Sequence, residues 1–260
     1  MKRIRMIALL LLGLLLGGCA RTALETGSWG LSFPNEGESP VGNASSEELR
    51  QYDAAFMGDP EEKTLYLTFD LGYEGGYTAQ ILDTLKEKHV PAAFFVVGTY
   101  VEQNPELIGR MADEGHTVGN HTYHHWDMSK IGDEATFSSE LQAVADAYQA
   151  ATGQKMTKYY RPPQGIFSEE NLKMAQKMGY RTVFWSLAYV DWLRDNQPTD
   201  AAAFDKLLPR THNGAVILLH ATSETNARIL ASLIDSWTEQ GYRFGTLDEL
   251  FGAEGAAIAQ

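Results

Sequence analysis

From residue 63 onward, short apolar runs alternate with longer segments in which apolar residues recur at helical spacing. The short runs are typical of buried strands, whereas the longer segments are typical of amphipathic helices. The runs predict strands over residues 65–69, 92–97, 117–120, 159–161, 182–185, 215–219 and 243–246. The longer segments predict helices over residues 78–88, 105–114, 133–152, 168–178, 200–208 and 224–240.

Strands that alternate with helices imply a parallel sheet. The helix signals agree, since Ser168 precedes two glutamates as at a helix N-terminus, and Gly153 and Gly179 stand where predicted helices end. A chain of 260 residues is long enough for one large domain. We therefore predict an α/β fold, an irregular (β/α) barrel of about seven parallel strands, and we favour a closed barrel over an open sheet.

Residues 1–18 are predicted to be an export signal. Basic residues precede an apolar stretch that is too short for a convincing membrane span. Leu16-Gly17-Gly18-Cys19 resembles the bacterial lipobox, in which the cysteine receives a lipid, and Cys19 is the only cysteine. We expect an exported protein anchored to the cell membrane through lipidated Cys19. A cleaved signal with an incidental cysteine is the alternative.

The rest of the chain is predicted to have three parts. Residues 20–59 are rich in Gly, Ser, Glu, Asn and Pro and are interpreted as a tether and N-terminal extension, in which the apolar residues around Trp29 dock on the domain. Residues 60–252 form the large domain, and residues 253–260 a flexible tail. The net charge of −13 argues against a nucleic-acid partner, which requires a basic surface.

Several apolar runs end in one ionisable residue. Asp70, Arg161 and His220 stand at or just after the ends of predicted strands, and Asp191 follows another apolar run. The carboxyl ends of barrel strands are where α/β enzymes assemble their active sites. The pattern therefore predicts that these four side chains converge on one site.

His121 and His125 stand four residues apart. In a helical turn this spacing would place both imidazoles on one face, where they could hold one metal ion. A cluster of histidines in a polar loop is the alternative. His124 is expected to face solvent, and Glu140 to lie on a solvated helix face.

Five segments in order resemble the polysaccharide deacetylases of carbohydrate esterase family 4, the NodB-homology group. They are Thr68-Phe69-Asp70-Leu71-Gly72, His121-Thr122-Tyr123-His124-His125, Arg161-Pro162-Pro163-Gln164-Gly165, Asp191-Trp192 and Leu218-Leu219-His220. Residues 72–78, 184–189 and 29–33 are similar to the branch that de-N-acetylates muramic acid on the way to muramic δ-lactam in spore cortex peptidoglycan. The resemblance implies a hydrolase of N-acetyl groups.

The resemblance implies roles for the residues at the strand ends. Asp70 would be the general base that takes a proton from water, and Arg161 would keep it ionised and oriented. His220 would be the general acid for the leaving amine, and Asp191 would favour its protonated form near pH 7. A carboxylate that only caps the next loop is the alternative for Asp70.

The resemblance also implies that His121 and His125 hold a divalent metal ion, zinc or similar, with Thr122 tying down their loop. The family usually has two adjacent aspartates, base then metal ligand, but Leu71 replaces the second. Two histidines without a carboxylate should bind the ion weakly. Glu74, one turn away, is an alternative ligand.

Five residues are expected to bind substrate: Tyr73, Pro163, Gln164, Trp192 and Leu218. Trp192 and Leu218 would wall the acetyl pocket, and ordinary core packing is the alternative for both. Gln164 stands where the muramic-acid branch commonly has an arginine, and glutamine supplies no charge to meet a substrate carboxylate.

The expected reaction is hydrolytic de-N-acetylation of N-acetylmuramic acid in peptidoglycan that has lost its stem peptides, by an enzyme facing the cell wall. A deacetylase of N-acetylglucosamine in peptidoglycan or another exported polysaccharide is one alternative, which Gln164 favours. A catalytically inactive glycan-binding lipoprotein is the other, which Leu71 favours. Against inactivity, the predicted base, acid and histidine pair are all present.

Overall fold

The computed structural model describes residues 24–252. The predicted export signal with Cys19 and the predicted tail at residues 253–260 lie outside the described residues. The strands are β1 (Gly27–Ser28), β2 (Leu31–Ser32), β3 (Val41–Gly42), β4 (Ala54–Ala55), β5 (Thr64–Leu71), β6 (Ala92–Val96), β7 (Thr117–Asn120), β8 (Tyr159–Tyr160), β9 (Ile166–Phe167), β10 (Arg181–Val183), β11 (Leu187–Ala188), β12 (Val216–His220) and β13 (Arg243–Phe244). The helices are α1 (Ser46–Arg50), α2 (Thr78–Lys88), α3 (Gly98–Gln103), α4 (Pro105–Asp113), α5 (Glu134–Thr152), α6 (Glu169–Lys177), α7 (Asp200–Leu207), α8 (Glu224–Glu239) and α9 (Leu247–Leu250).

The central feature is a curled parallel sheet with the strand order β11-β12-β5-β6-β7-β8-β10-β4, and β13 pairs with the start of β5. This confirms the predicted α/β class and the irregular barrel, which here is a half-barrel. Every predicted strand and helix is found, with ends displaced by no more than two residues. Strands β4 and β11 of this sheet, each of two residues, were not predicted.

The two ends of the sheet are joined by irregular chain rather than by a ladder of paired strands. Strand β10 pairs with β4 at one end, and β11, which follows it along the chain, pairs with β12 at the other. An isolated antiparallel bridge joins Met57, just after β4, to Ala215, just before β12. The sheet is therefore a half-barrel, and the closed barrel favoured from the sequence is not confirmed, since one bridge rather than a ladder joins the two ends.

Strand β5 is buried along its whole length, and its two faces pack against different neighbours. Alternate residues from Leu65 to Leu71 lie in the main core with residues of α2 and α8. Tyr66 lies in a separate cluster with Phe95 and Val216, on the inner side of the sheet. Because side chains alternate along a strand, Asp70 faces the barrel interior and Leu71 faces the helices.

The segment before residue 60 packs on the barrel. Strand β1 pairs with β9, and the Trp29 indole is stacked on Phe184 at 4.8 Å between ring centroids. The Trp29 indole N–H also donates to the Trp185 carbonyl oxygen at 2.8 Å. Residues around Trp29 thus dock on the domain, and β4 is part of its sheet, while the division of the chain at residue 60 stays a prediction. Within residues 24–252, no helix has the length and apolar character to span a membrane.

Candidate active site

One cleft, with a volume of about 870 Å³, opens at the carboxyl ends of β5, β7 and β12. The pairing of β12 with β5 places His220 beside Asp70, which explains how two runs far apart in sequence supply one site. The predicted site residues that line the cleft are Asp70, Tyr73, His121, His125, Gln164, Trp192, Leu218 and His220. Arg161 and Asp191 lie directly behind two of these residues.

Asp70 and Arg161 form a buried ion pair at the base of the cleft. Arg161 Nη1 donates to Asp70 Oδ1 at 2.7 Å, and the other guanidinium nitrogens donate to the carbonyl oxygens of Val183 and Phe184. Burial alone would raise the pKa of Asp70, but the positive charge of Arg161 outweighs it and holds the pKa below its ordinary value. Asp70 is therefore a carboxylate at neutral pH, and its Oδ2 is left to face the cleft.

His121 and His125 lie together, but in a loop rather than in a helical turn. Their ring centroids are 4.8 Å apart. Thr122 and His125 have φ angles of 65° and 58°, in the left-handed region that a right-handed helix excludes. The predicted helical turn is therefore wrong, and the loop after β7 brings the rings together instead.

Hydrogen bonds hold this loop in its left-handed conformation. The backbone N–H of Thr122 donates to Asn120 Oδ1 at 3.0 Å, and the backbone N–H of His125 donates to Thr122 Oγ1 at 3.0 Å. The expectation that Thr122 ties down the loop is confirmed. These contacts compensate for backbone conformations that non-glycine residues adopt at some cost.

His121 is a neutral imidazole with a lone pair directed into the site. Its Nδ1 lies 2.8 Å from the carbonyl oxygen of Arg161, and a carbonyl only accepts, so Nδ1 carries the proton. Its Nε2 lies 3.5 Å from Asp70 Oδ2. Burial lowers the pKa of His121 to about 4, and burial also lowers the pKa of His125. A ring proton fixed by a carbonyl is the usual state of a metal-binding histidine.

The donor set around this pair is short of ligands for a tightly held metal ion. Among residues 24–252, no group of three or more His, Cys, Asp or Glu side chains is placed to hold one. Leu71 is buried in the core, and the Glu74 carboxylate accepts hydrogen bonds from Thr78 Oγ1 at 2.6 Å and Tyr100 Oη at 2.7 Å. Glu74 is thus committed to the start of α2. Two neutral imidazoles fit a weakly bound divalent ion.

His220 is paired with Asp191 on the other side of the cleft. His220 Nδ1 lies 2.7 Å from Asp191 Oδ1, and the backbone N–H of His220 donates to Asp191 Oδ2 at 2.8 Å. Burial alone would lower the pKa of His220, but the hydrogen bond and charge of Asp191 outweigh it and raise the pKa above its ordinary value. Asp191 is in turn held by Asn226, whose Nδ2 donates to Asp191 Oδ2 at 2.6 Å.

The residues expected to bind substrate occupy different depths. Tyr73 and Trp192 are exposed at the mouth, with relative exposures of 41% and 48%, so core packing does not account for Trp192. Leu218 is buried but lines the cleft, as does Gln164. Pro163 is buried and is not among the lining residues; it begins the short turn that carries Gln164 with a φ of 58°.

His124 is exposed, as expected from the sequence, but Glu140 does not lie on a solvated helix face. Glu140 is buried, with a relative exposure of 5%, and accepts hydrogen bonds from the backbone N–H and Nδ1 of His124, the second at 2.6 Å. His124 lines the cleft and its ring is stacked on Trp126 at 4.3 Å. Helix periodicity marked Glu140 as polar but could not show that the loop after β7 covers it. Asn226, near the start of α8, was missed for the same reason.

The cleft therefore combines a carboxylate held ionised by Arg161, an imidazole whose pKa is raised by Asp191 and two neutral imidazoles. A carboxylate of this kind can take a proton from water, and an imidazolium can give one to a leaving group. The neutral pair can coordinate a metal ion. These are the groups that hydrolysis of an amide requires.

Comparison with known proteins agrees with this chemistry. The polysaccharide deacetylase family model matches residues 57–183. The chain is 42% identical over 242 residues to the peptidoglycan-N-acetylmuramic acid deacetylase PdaA of Bacillus subtilis, covering 91% of each chain. It is 32% identical over 207 residues to a peptidoglycan-N-acetylglucosamine deacetylase of Bacillus cereus, covering 78% of this chain and 74% of that one.

The fold supports the same relationship. The solved structure of Bacillus subtilis PdaA, a family 4 carbohydrate esterase, matches with a TM-score of 0.85 and 40% identity, covering 90% of this chain and 100% of that one. The sequence match and the structural match to PdaA thus cover nearly the same share of this chain. The resemblance found in the five sequence segments is confirmed. The chain belongs to the polysaccharide deacetylases of carbohydrate esterase family 4.

Proposed function

We propose that the protein removes the acetyl group from N-acetylmuramic acid in peptidoglycan that has lost its stem peptides. The free amine left on the sugar could then close on the lactyl carboxylate to give the muramic δ-lactam of spore cortex. The observation that carries the proposal is geometric: Asp70 and His220 lie side by side on paired strands at one cleft, and each is held at 2.7 Å by a buried partner of opposite charge, Arg161 and Asp191. The 42% sequence identity to a peptidoglycan-N-acetylmuramic acid deacetylase, over 91% of both chains, supports this choice of substrate.

The reaction adds water across the amide. Asp70 takes a proton from the water as its oxygen attacks the acetyl carbonyl carbon, and Arg161 keeps Asp70 ionised and in place. The bond between the carbonyl carbon and nitrogen then breaks. His220 gives its proton to the departing nitrogen, which leaves acetate and the free amine of the sugar.

Two residues position His220, and two others line the cleft beside it. Asp191 holds the His220 ring and favours its protonated form, and Asn226 fixes Asp191. Trp192, whose ring centroid lies 5.4 Å from that of His220, and Leu218 would enclose the acetyl group. Hydrogen bonds that Asp191 accepts from His220 and Asn226 therefore hold the proposed acid before substrate arrives.

His121 and His125 are the residues that would hold a divalent ion, zinc or similar, and family members generally depend on a metal. When bound, such an ion would polarise the acetyl carbonyl. Because Leu71 offers no third ligand and two imidazoles alone must hold the ion, the site should release it readily. This weak binding distinguishes the proposal from a mechanism with a tightly held ion.

The proposed location is the outer face of the cell membrane, facing the cell wall. Cys19 in the lipobox-like segment supports this location, because a lipid on that residue would tether a domain that works on glycan. Mass spectrometry of the N-terminal peptide tests it. A diacylglycerol adduct on Cys19 is expected, and an unmodified peptide that begins elsewhere would contradict lipid anchoring.

Two observations favour other functions. Gln164 lines the cleft without supplying charge, which favours deacetylation of N-acetylglucosamine in peptidoglycan or another exported polysaccharide. The incomplete metal site favours an inactive glycan-binding protein. Each makes a different prediction about acetate release, so one assay separates all three.

That assay measures acetate released from peptide-free peptidoglycan and from chitooligosaccharides, before and after chelation with metal add-back. Release from the first substrate that is lost on chelation and restored by a divalent ion is expected. Release only from chitooligosaccharides would support the glucosamine alternative. Binding without release from either, and no difference on Asp70→Asn, would support the inactive protein.

A further inference from the structure

A cation lies at the mouth of the cleft beside one of its aromatic walls. The guanidinium of Arg194 lies over the ring of Tyr73, 5.5 Å from its centroid. Tyr73 lines the cleft, and so does Trp192, two residues before Arg194 in the same loop. A ligand that enters between these rings therefore passes close to a positive charge.

The guanidinium N–H groups of Arg194 are available to a ligand. Within residues 24–252 its only recorded interaction is with the Tyr73 ring, and no carboxylate lies within ion-pair distance of it. Among the described residues no arginine or lysine lines the cleft itself; Arg194 lies beside the Tyr73 wall, and Arg161 lies beneath the cleft with its three nitrogens donating to Asp70 and two carbonyl oxygens. In a chain with 34 acidic and 21 basic residues, an arginine without an acidic partner is available to an anionic ligand.

The loop that carries Arg194 is held in place. Gln197 Nε2 donates to the carbonyl oxygens of Asp191 and Leu193 at 2.8 and 3.0 Å. Its Oε1 accepts a hydrogen bond from Ser223 Oγ at 2.6 Å, at the start of α8. The position of Arg194 is thus linked to Asp191, the residue that orients His220.

We propose that Arg194 is a specificity-determining residue that binds a carboxylate on the sugar whose acetyl group enters the cleft. The inference rests on the proposed function, because N-acetylmuramic acid carries a lactyl carboxylate and N-acetylglucosamine does not. The Tyr73 ring supports the face of the guanidinium and leaves its edge free for a bidentate contact. Gln164 can add a hydrogen bond but no charge.

The test is Arg194→Gln, assayed on three glycans. They are peptide-free peptidoglycan strands, the same strands with the lactyl carboxylates methyl-esterified, and chitooligosaccharides. The variant should raise KM for the acidic strands about two- to fivefold, the size expected of an exposed guanidinium–carboxylate contact, with much less change in kcat. KM for the esterified strands and the chitooligosaccharides should rise far less.

Arg210→Gln is the matched control. Arg210 also lies over an aromatic ring, Phe33, at 4.5 Å, but it is not among the residues that line the cleft. The KM of the Arg210→Gln variant on each glycan should stay at the wild-type value. Equal losses for Arg194→Gln on the acidic and esterified strands would overturn the proposal, because they would show only a disturbed loop, and so would no loss at all.

Equilibrium binding in an Asp70→Asn background separates this inference from the proposed function. Absence of acetate release from acidic strands by the wild-type chain would sink the proposed function. Binding of the acidic strands that Arg194→Gln weakens, with esterified strands unaffected, would still support Arg194 as the carboxylate contact. Identical binding of acidic strands with and without Arg194 would overturn it.

Discussion

The two ion pairs that face the cleft are arranged in opposite senses. In the Arg161–Asp70 pair the cation is sealed, with no exposed side-chain area, and the anion reaches the cleft. In the His220–Asp191 pair the anion is sealed, and the imidazole is 23% exposed. Each sealed member stabilises the charged form of the member that meets the substrate. Arg161 thus favours the ionised form of Asp70, and Asp191 favours the protonated form of His220.

The pairs also differ in what their loss should cost the fold. Arg161 is surrounded by protein and lies 4.2 Å from the centroid of the Phe95 ring, so water cannot replace its partner. His220 has an open side from which water can reach it. A buried charge that loses its partner is strongly destabilising, whereas a partly exposed one is not. The following variants test this difference between the two pairs and are given in order of decreasing expected effect.

The largest effect is expected from Arg161→Met. Removal of the cation leaves Asp70 buried without a partner, which should lower the free energy of unfolding by about 3–5 kcal/mol. Acetate release should fall with it, because burial alone raises the pKa of Asp70 and favours the protonated acid. Urea denaturation near neutral pH measures the loss.

The pH dependence of this variant has a definite sign. In the wild-type chain the pKa of Asp70 is lowered by folding, so the pair stabilises above the ordinary aspartate pKa and this contribution is lost as pH falls through the lowered value. In Arg161→Met the carboxyl group of Asp70 prefers its neutral form. The difference in unfolding free energy between the wild-type chain and the variant should therefore become smaller in acid. Arg161→Lys keeps the charge and should lose less. A gap that stays constant with pH would contradict this account of the pair.

A carboxylate placed next to the first pair should be the second largest perturbation. In Leu71→Asp the new side chain would enter the core between the sheet and α2, since Leu71 faces away from Asp70. We expect a loss of about 3 kcal/mol or more in unfolding free energy and no gain in metal affinity. Calorimetric titration with zinc and a thermal melt measure both. Tighter zinc binding at unchanged stability would show that the strand end can rotate toward the cleft.

Leu71 also shows where the sequence was sufficient. Apolar runs that each end in one ionisable residue predicted that Asp70 and His220 share a site, because parallel strands align their carboxyl ends. The alternation of side chains along a strand then explains why Leu71, the residue after Asp70, points into the core. This part of the site depends on local pattern, which a sequence displays.

The histidine loop shows where the sequence was insufficient. The spacing of His121 and His125 suggested a helical turn, but two left-handed non-glycine residues form a loop instead. That conformation depends on hydrogen bonds accepted by the side chains of Asn120 and Thr122. The spacing of hydrophobic residues along the chain does not reveal such hydrogen bonds. The burial of Glu140 and the contact of Asn226 with Asp191 likewise depend on elements that meet only in the folded chain.

A smaller effect, on the pH profile, is expected from Asp191→Asn. Asp191 raises the pKa of His220, so the acid form persists to higher pH in the wild-type chain. In the variant, the decline of kcat/KM with rising pH should begin at lower pH, and activity in mildly alkaline buffer should fall roughly tenfold or more. His220→Gln should lose about 100- to 10,000-fold at every pH. A profile of Asp191→Asn that superimposes on wild type would show that Asp191 does not set the charge of the acid.

The smallest effect is expected at the exposed rim, from Trp192→Ala. Because nearly half of the Trp192 surface is exposed, its removal should change the unfolding free energy by no more than about 0.5 kcal/mol. It should still raise KM for glycan roughly fivefold, since an aromatic wall beside His220 would be lost. Trp29→Ala is the matched control: its ring lies in the core, so about 3–5 kcal/mol of stability should be lost. If both variants lost similar stability, Trp192 would belong to the structural framework, and the division between a buried ion pair and an open rim would not hold.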